Sequence, residues 1–581
     1  MAFLYTTKRE MRDGGLPQLD VILVSGDAYV DHPSFAAAMI GRALEAEGLS
    51  VGIIAQPDWT SVGDFRRLGR PRLFFGVTAG NVDSMLAHYT VARKLRRDDA
   101  YSPGGAAGLR PNRATIVYAN RLREAWPGVP IVLGGIEASL RRLAHYDFWQ
   151  DKVRRSILLD AKADLLVYGM GEPQVIEIAR RLAEGEPVGQ LDDIRGTVFE
   201  RSSKDYSPPD HAVAIPSYEE CAAETGKFVE AFRSIYYEQD PSAGRALAQP
   251  HGGRVVVQNP PAAPLSAEEL DRLYELPFER RWHPAYDSAG GVPALETVRF
   301  SIVSHRGCYG DCAFCALTFH QGRIVQSRSV ASILREVEEL KKLPEWRGVI
   351  SDVGGPTANM YGTGCSRGAQ HCRTGRCLGD KPCPQLRTDP TPMLEMLRAV
   401  RNAPGVRKVF IGSGVRFDLC LGRAGDRYLR EVCEHHISGQ LKVAPEHVSP
   451  RVLRIMGKPG PEAFEEFRRR FEKINKRLGK RQYLVCYFMS SHPGCGMKEM
   501  RELAGYLQRA GMRPEQVQDF YPCPMTLATC IYHTGVHPLT GERVYVAISD
   551  RDKLAQRHLL NKPDRKGAPK RKYRTARKEK A

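Results

Sequence analysis

The 581-residue chain contains no uninterrupted apolar run near the ~20 residues that a membrane-spanning helix requires, so no membrane role is expected. Its first residues, MAFLYTTKREMRDGG, lack the apolar core and small-residue cleavage site of a secretory signal, which makes the cytoplasm the expected compartment. In that compartment the 14 cysteines are expected as reduced thiols or metal ligands, not disulfides. Cysteine is absent altogether from residues 1–195, and neither a Walker sequence nor a complete Gly-x-Gly-x-x-Gly occurs, so a phosphate-cradling or dinucleotide-binding loop of the usual kind is excluded.

What is present is basic. The formal net charge is +18, but residues 551–581 alone hold thirteen Lys or Arg against three Asp or Glu. That segment has too few apolar residues to form a core, and it reads as a disordered tail. It serves solubility or contacts nucleic acid through its charge.

Residues 1–195 alternate short apolar runs with helical patterns: DVILVSG, SVGIIAQ, RLFFGVTAG, PIVLGGIEAS and ADLLVYGMGE are read as strands, and NVDSMLAHYTVARKLRR as a helix. This predicts an α/β, doubly wound parallel sheet whose ligands sit beyond the strands' glycine-rich carboxyl ends. Residues 196–290, broken by SPPD and NPPAAPLS, read as a connector with a few helices, one of them capped by Ser266 with Glu268 and Glu269 at the capping-box position. From 291 to 550 six strand and helix pairs follow one another, which predicts a partial (β/α)6 barrel with its reactive groups in the loops after the strands.

The loop after the first of these strands reads HRGCYGDCAFC and places Cys308, Cys312 and Cys315 within eight positions. Structural zinc sites and 4Fe-4S clusters ordinarily take four protein ligands. Three thiolates leave one iron of a cubane open, and an open position implies chemistry. Three unconnected thiols, or a zinc completed from elsewhere, are the alternatives.

The spacing Cys308, Cys312, Phe314, Cys315 resembles the defining motif of the radical S-adenosylmethionine (SAM) enzymes, C-x3-C-x-aromatic-C on a partial (β/α)6 barrel. The resemblance implies that the three thiolates hold a 4Fe-4S cluster whose fourth iron is chelated by SAM. Reduction then cleaves the C5′–S bond and yields a 5′-deoxyadenosyl radical that abstracts a substrate hydrogen. It also implies an electron donor such as flavodoxin or ferredoxin, and adenine near the Phe314 backbone. DVGGPTAN matches the superfamily's G-G-E segment at Gly354 and Gly355; Pro356 replaces the acidic residue and Thr357 offers a hydroxyl. Ser413 is then a candidate SAM contact, and Arg416, Lys442 and Glu446 are candidate catalytic residues at the ends of the third and fourth strands, with a structural ion-pair role open for Arg416 and Glu446. Wider wording, including ERRWHPAY, KVAPEHVSPRVLRIMGKP and QDFYPCP, resembles the YgiQ-like subfamily, whose N-terminal domain is cobalamin-binding-like. No Asp-x-His-x-x-Gly string supplies a histidine ligand to cobalt, however, so cobalamin is not expected.

A second group, Cys365, Cys372, Cys377 and Cys383, occupies 19 residues immediately after the Gly354-Gly355 strand. An auxiliary iron–sulfur cluster or a zinc ion accounts for it most economically, with reduced thiols or redox chemistry as alternatives. Methylthiotransferases carry an extra cluster in an N-terminal domain, and the cysteine-free residues 1–195 argue against that assignment. The reading that follows is a radical SAM enzyme of undetermined substrate; the alternative is a nonenzymatic iron–sulfur redox sensor or RNA-binding protein.

Overall fold

The computed structural model describes residues 3–204, 206–208, 212–367, 372, 376–379, 382–512, 514 and 516–560. The strands expected in the first third form, in spatial order, Leu165–Val167, Ile131–Leu133, Phe74–Thr78, Val21–Ser25 and Val51–Ala55, all parallel. Val21–Ser25 and Val51–Ala55 are buried along their whole length, as parallel strands covered on both faces must be. Helices Ala36–Ala46, Ala114–Ala125 and Glu172–Ala183 provide cover.

The sheet does not end near residue 195. Thr197–Ser202, Arg254–Gln258 and Leu247–His251 extend it antiparallel from Leu165–Val167, and Val213–Ala214 closes the far edge of a nine-stranded sheet. The segment read as a connector therefore contributes four strands to this sheet, with helices Tyr218–Ala223 and Thr225–Tyr237 among them. Prolines concealed this, yet RVVVQ is a β-branched run buried at four of its five positions. The helix read over 81–97 is also corrected: it covers only Ser84–His88, capped by Asp83, and Tyr89 is extended. Ser266 and Glu269 do form a capping box for Ala267–Tyr274.

The C-terminal half lays six strand segments side by side in chain order. Ser301–Val303 pairs parallel with Asp352–Gly354, Val349–Ile350 with Lys408–Val409, and a bridge joins Val415 to Val443. Gln440–Glu446, Tyr483–Ser490 and Gln516–Asp519 complete the series. Amphipathic helices Val330–Lys341, Thr391–Asn402, Pro461–Leu478 and Met497–Arg509 lie between them. Among the described residues no helix is long and apolar enough to cross a membrane.

The tail is shorter than expected. Asp550–Leu560 is a helix that docks through fully buried Gln556, which donates to the Cys495 carbonyl (2.9 Å) and accepts from the Ser491 N–H (2.9 Å). Residues 561–581 lie outside the described residues.

The two halves are joined by buried charge. Glu336, on helix Val330–Lys341, receives both Arg280 and Arg328, and Arg306 meets Glu172 at 2.8 Å. All five side chains are buried, so removing one partner leaves an uncompensated ion at a cost of about 3–5 kcal/mol.

Burial also pushes His251, His436 and His447 down to about 4, against about 6.5 in an unfolded chain. Between those values only the unfolded state takes up the protons, so unfolding is favoured as pH falls. The midpoint of urea unfolding of the metal-free chain is expected to hold steady above pH 7 and to fall between about pH 6.5 and 4; a flat midpoint over that window would contradict the buried neutral imidazoles.

Candidate metal and cofactor site

The cysteine loop begins where His305–Arg306 ends. Gly307 has φ +82°, and a Cβ there would lie 2.0 Å from the Ile324 carbonyl oxygen, so only glycine turns the chain here. Cys308, Cys312 and Cys315 are all partly exposed at their surfaces. The Cys308 sulfur accepts from the Gly310 N–H (3.4 Å) and lies 3.5 Å from the Thr357 hydroxyl. Burial pushes the Cys308 thiol up and the Cys315 thiol up to about 12.

Six separate stretches hold this loop. Arg416 donates to the Gly310 carbonyl (3.2 Å) and the Cys312 sulfur (3.7 Å), braced by Asp418 at 3.0 Å. Asp311 accepts from the Tyr236 hydroxyl (3.0 Å) and pairs with Arg323 (3.1 Å). The Ala313 N–H donates to the Met456 carbonyl (2.9 Å), and its own carbonyl accepts from the Ala528 N–H (2.8 Å). Finally His305, whose Nε2–H donates to the Thr357 carbonyl (3.0 Å) and whose Nδ1 then accepts from the Ser304 hydroxyl (2.9 Å), fixes the Gly354–Thr357 turn against the loop; burial lowers its pKa to about 4.

Of the residues read as SAM contacts, Gly354, Gly355 and Ser413 line one cavity, and Thr357 faces Cys308. A Cβ on Gly355 would sit 2.5 Å from the His305 carbonyl oxygen. Phe314 packs edge-on to His492, with the Lys458 ammonium 5.8 Å from its ring. Glu446 ends its strand at φ +65°, buried, with one carboxylate oxygen 3.6 Å from Lys458 and the other unpartnered; burial raises its pKa. Arg416 is engaged by the cysteine loop itself. Lys442 has an exposed side chain, and its carbonyl accepts from the Val415 N–H (3.0 Å); the structure does not bring it to the loop.

Three contributors were missed from the sequence. Asp352 lines the cavity and binds the Gly412 N–H (2.8 Å), the Ser413 N–H (3.1 Å) and the Ser413 hydroxyl, so a carboxylate stands two residues ahead of Gly354 although Pro356 offers none. Strand alternation with Gly354 was the available signal. Gly457 (φ +66°) ends helix Pro450–Met456, and a Cβ on it would lie 2.6 Å from the Asp311 carbonyl oxygen. Lys458 follows and donates to the Ala444 carbonyl (2.9 Å).

The cavity, about 530 Å³, lies between the two halves. On one side are the carboxyl ends of the N-terminal strands, at Thr78, Gly80, Gly134, Gly135 and Gly169; on the other are Val303, Asp352, Gly354, Gly355 and Ser413. Most of its wall is apolar, but Arg306 and Glu172 bring one unpartnered polar atom each.

The donor set fits an iron–sulfur cluster. Three thiols from one short loop suit a cubane, which spreads three thiolates over three irons and leaves the fourth open. The Gly310 N–H on the Cys308 sulfur and the Arg416 guanidinium on the Cys312 sulfur offer positive charge to thiolates at these positions.

Compared with known proteins, residues 3–301 match the model described as Radical SAM N-terminal, 302–507 the Radical SAM superfamily, and 515–569 a domain of unknown function. The chain is 53% identical over 564 residues to a UPF0313 protein of Geobacter sulfurreducens (96% of this chain, 92% of that one). It is 50% identical over 562 residues to one of Clostridium botulinum strain 657 (96% and 88%). Solved structures that it resembles include the radical SAM methyltransferase TsrM of Kitasatospora setae with cobalamin and a 4Fe-4S cluster bound (TM-score 0.48, 16% identity, 87% of this chain and 74% of that one). Another is the cobalamin-dependent SAM radical enzyme OxsB with aqua-cobalamin bound (TM-score 0.47, 12% identity, 94% and 56%). The expectation against cobalamin is corrected: residues 3–301 match the Radical SAM N-terminal model, and the missing Asp-x-His-x-x-Gly string excludes only a histidine ligand to cobalt, not the corrinoid.

Gly457→Ala tests how the loop is held. The strained left-handed backbone is expected to cost about 1–3 kcal/mol, and the clash at Asp311 to lower the iron retained per chain after anaerobic reconstitution; full iron retention at wild-type stability would show that the contact is dispensable.

Proposed function

This chain belongs to the UPF0313 family within the radical SAM superfamily, and we propose that it cleaves SAM reductively at a cluster held by Cys308, Cys312 and Cys315, with the interdomain cavity receiving the second reactant. The observation that carries this reading is the 3.5 Å contact of the Cys308 sulfur with the Thr357 hydroxyl, at the end of a turn whose Gly354 and Gly355 line the cavity. A 4Fe-4S cluster held by Cys308, Cys312 and Cys315 would supply the single electron that reductive cleavage of the SAM sulfonium to methionine and a 5′-deoxyadenosyl radical requires.

The chain's own residues then have distinct tasks. Gly354 and Gly355 leave backbone room for the SAM amino group, while Asp352 keeps Ser413 and Gly412 in place at the neighbouring strand end. Phe314, flanked by Lys458 and His492, forms an aromatic wall for the adenine. The Glu446 and Lys458 pair stands beside that wall; the buried carboxyl with its raised pKa suits proton exchange with a bound ligand. Arg416 is a positioning residue for the cluster loop. Arg306 and Glu172 would hold a polar substituent of whatever fills the cavity.

Cobalamin suits that cavity: a broad ligand lying across glycine-rich strand ends, with an apolar wall and few polar anchors. Bound there, it would supply methyl or one-electron transfer.

Two experiments test the proposal. Anaerobically reconstituted, dithionite-reduced protein given SAM is expected to form 5′-deoxyadenosine, and the Cys308→Ala, Cys312→Ala, Cys315→Ala variant to form at least 100-fold less; equal yields would remove the assignment. Gly134 is extended, with open space where its Cβ would stand, so Gly134→Phe fills the cavity without backbone strain. Wild type should retain hydroxocobalamin through gel filtration and Gly134→Phe should not, at unchanged iron content; a wild type that retains none would give the cavity to a different ligand.

A further inference from the structure

The second cysteine group is brought together by its backbone. Gly364–Cys365 pairs antiparallel with Leu386–Arg387, setting Cys365 opposite Leu386. The Leu386 N–H donates to the Cys383 carbonyl (2.9 Å), and the Cys383 N–H to the Cys377 carbonyl (2.9 Å). Ser366 and Gln385 close the neck through backbone (2.8 Å) and side-chain (2.9 Å) bonds. Three of the four cysteines are thus gathered within a turn of one another. The fourth, Cys372, lies within electrostatic reach: burial first, then the neighbouring Cys372, Cys383 and Cys365, push the Cys377 thiol up to about 11. Cys365, Cys377 and Cys383 are in no disulfide.

The group also abuts the first loop. Arg376 pairs with Asp311 (3.3 Å), which sits between Cys308 and Cys312 in the chain. Cys377 and Cys308 pack against the same small apolar cluster of Tyr309, Met360 and Leu378. So small a cluster gives the hairpin little apolar surface to bury, and a loop with four thiols and almost no core is stabilised by a metal more readily than by packing.

We propose that Cys365, Cys372, Cys377 and Cys383 hold a second, tetrathiolate metal centre, a zinc ion or an iron–sulfur cluster, beside the SAM-cleaving loop. On binding, four S–H protons leave and four thiolates take their place on the metal, with no change of oxidation state in the protein. Among the described residues the sulfurs do not stand at the bonding distances of one ion, and side-chain rotation is what would draw them in. Four protein ligands leave no open position, so the centre is structural or carries electrons instead of binding SAM. Arg323, which acts on both Asp311 and Cys377, and Arg376 offset the excess negative charge of the tetrathiolate.

The test uses the full chain with the first site removed. The Cys308→Ala, Cys312→Ala, Cys315→Ala variant, purified anaerobically and offered either zinc alone or iron and sulfide, is expected to keep about one zinc, or iron with acid-labile sulfide, per chain. Adding Cys365→Ser and Cys377→Ser should abolish that retention. A first-site variant that binds neither metal while unfolding at the wild-type temperature overturns the proposal, as does retention unaffected by the added substitutions. Because global misfolding could mimic loss, exposed Cys365→Ser is also made alone in the wild-type background. There the proposal expects less total metal with 5′-deoxyadenosine formation retained, and metal content equal to wild type counts against it.

Discussion

The backbone of the Cys308–Cys315 loop approaches other backbone more closely than side chains permit, and much of the C-terminal half is arranged to allow it. Gly307 passes the Ile324 carbonyl, Gly355 the His305 carbonyl, and Gly457 the Asp311 carbonyl. Each approach would be blocked by a single Cβ. A cluster loop must hold its thiolates at fixed separations before the metal arrives, because a flexible loop would lose ordering entropy on binding. Close backbone packing supplies that rigidity with N–H groups still available to sulfur. It also explains why RIMGKP, remote in sequence, belongs to the site: its glycine admits the loop and its lysine reaches Phe314 and Glu446.

The cysteine spacing and the strand and helix alternation were legible in the sequence because both are local. Five parallel N-terminal strands fall on the expected apolar runs, and six C-terminal strand segments follow in the expected order. The failures share a cause. Thr197–Ser202 and Arg254–Gln258 join the first sheet across some fifty residues of proline-rich chain, a pairing that no local window contains. The helix Asp550–Leu560 looked too charged to fold, yet one glutamine, Gln556, docks it by satisfying two backbone groups. Arg416 was visible as a charge at a strand end, but only the fold shows that it serves Gly310 and Cys312. Lys442, chosen on the same grounds, points to solvent.

The seam between the halves uses buried ions where an apolar interface would have served stability equally well. Glu336 with Arg280 and Arg328 fixes the angle of approach, since a carboxylate shared by two guanidiniums accepts few geometries. Arg306 and Glu172 do the same at the cavity edge, and each keeps an atom unpartnered. An orphaned buried polar atom costs on the order of 1–3 kcal/mol, a cost that a ligand carrying a polar group would recover.

Both sheets direct the carboxyl ends of their parallel strands into the same space. In a doubly wound sheet those ends open a crevice, and in repeated β–α units they carry the reactive loops. Facing them across a cavity places two ligand-binding edges on one ligand. Gly134 and Gly135 on the first edge and Gly354 and Gly355 on the second keep side chains out of the gap, so its width is set by backbone. Under the proposed reading, a reactant held against the N-terminal edge would face SAM at the other. The Arg306–Glu172 contact, spanning the two edges at 2.8 Å, keeps that separation fixed.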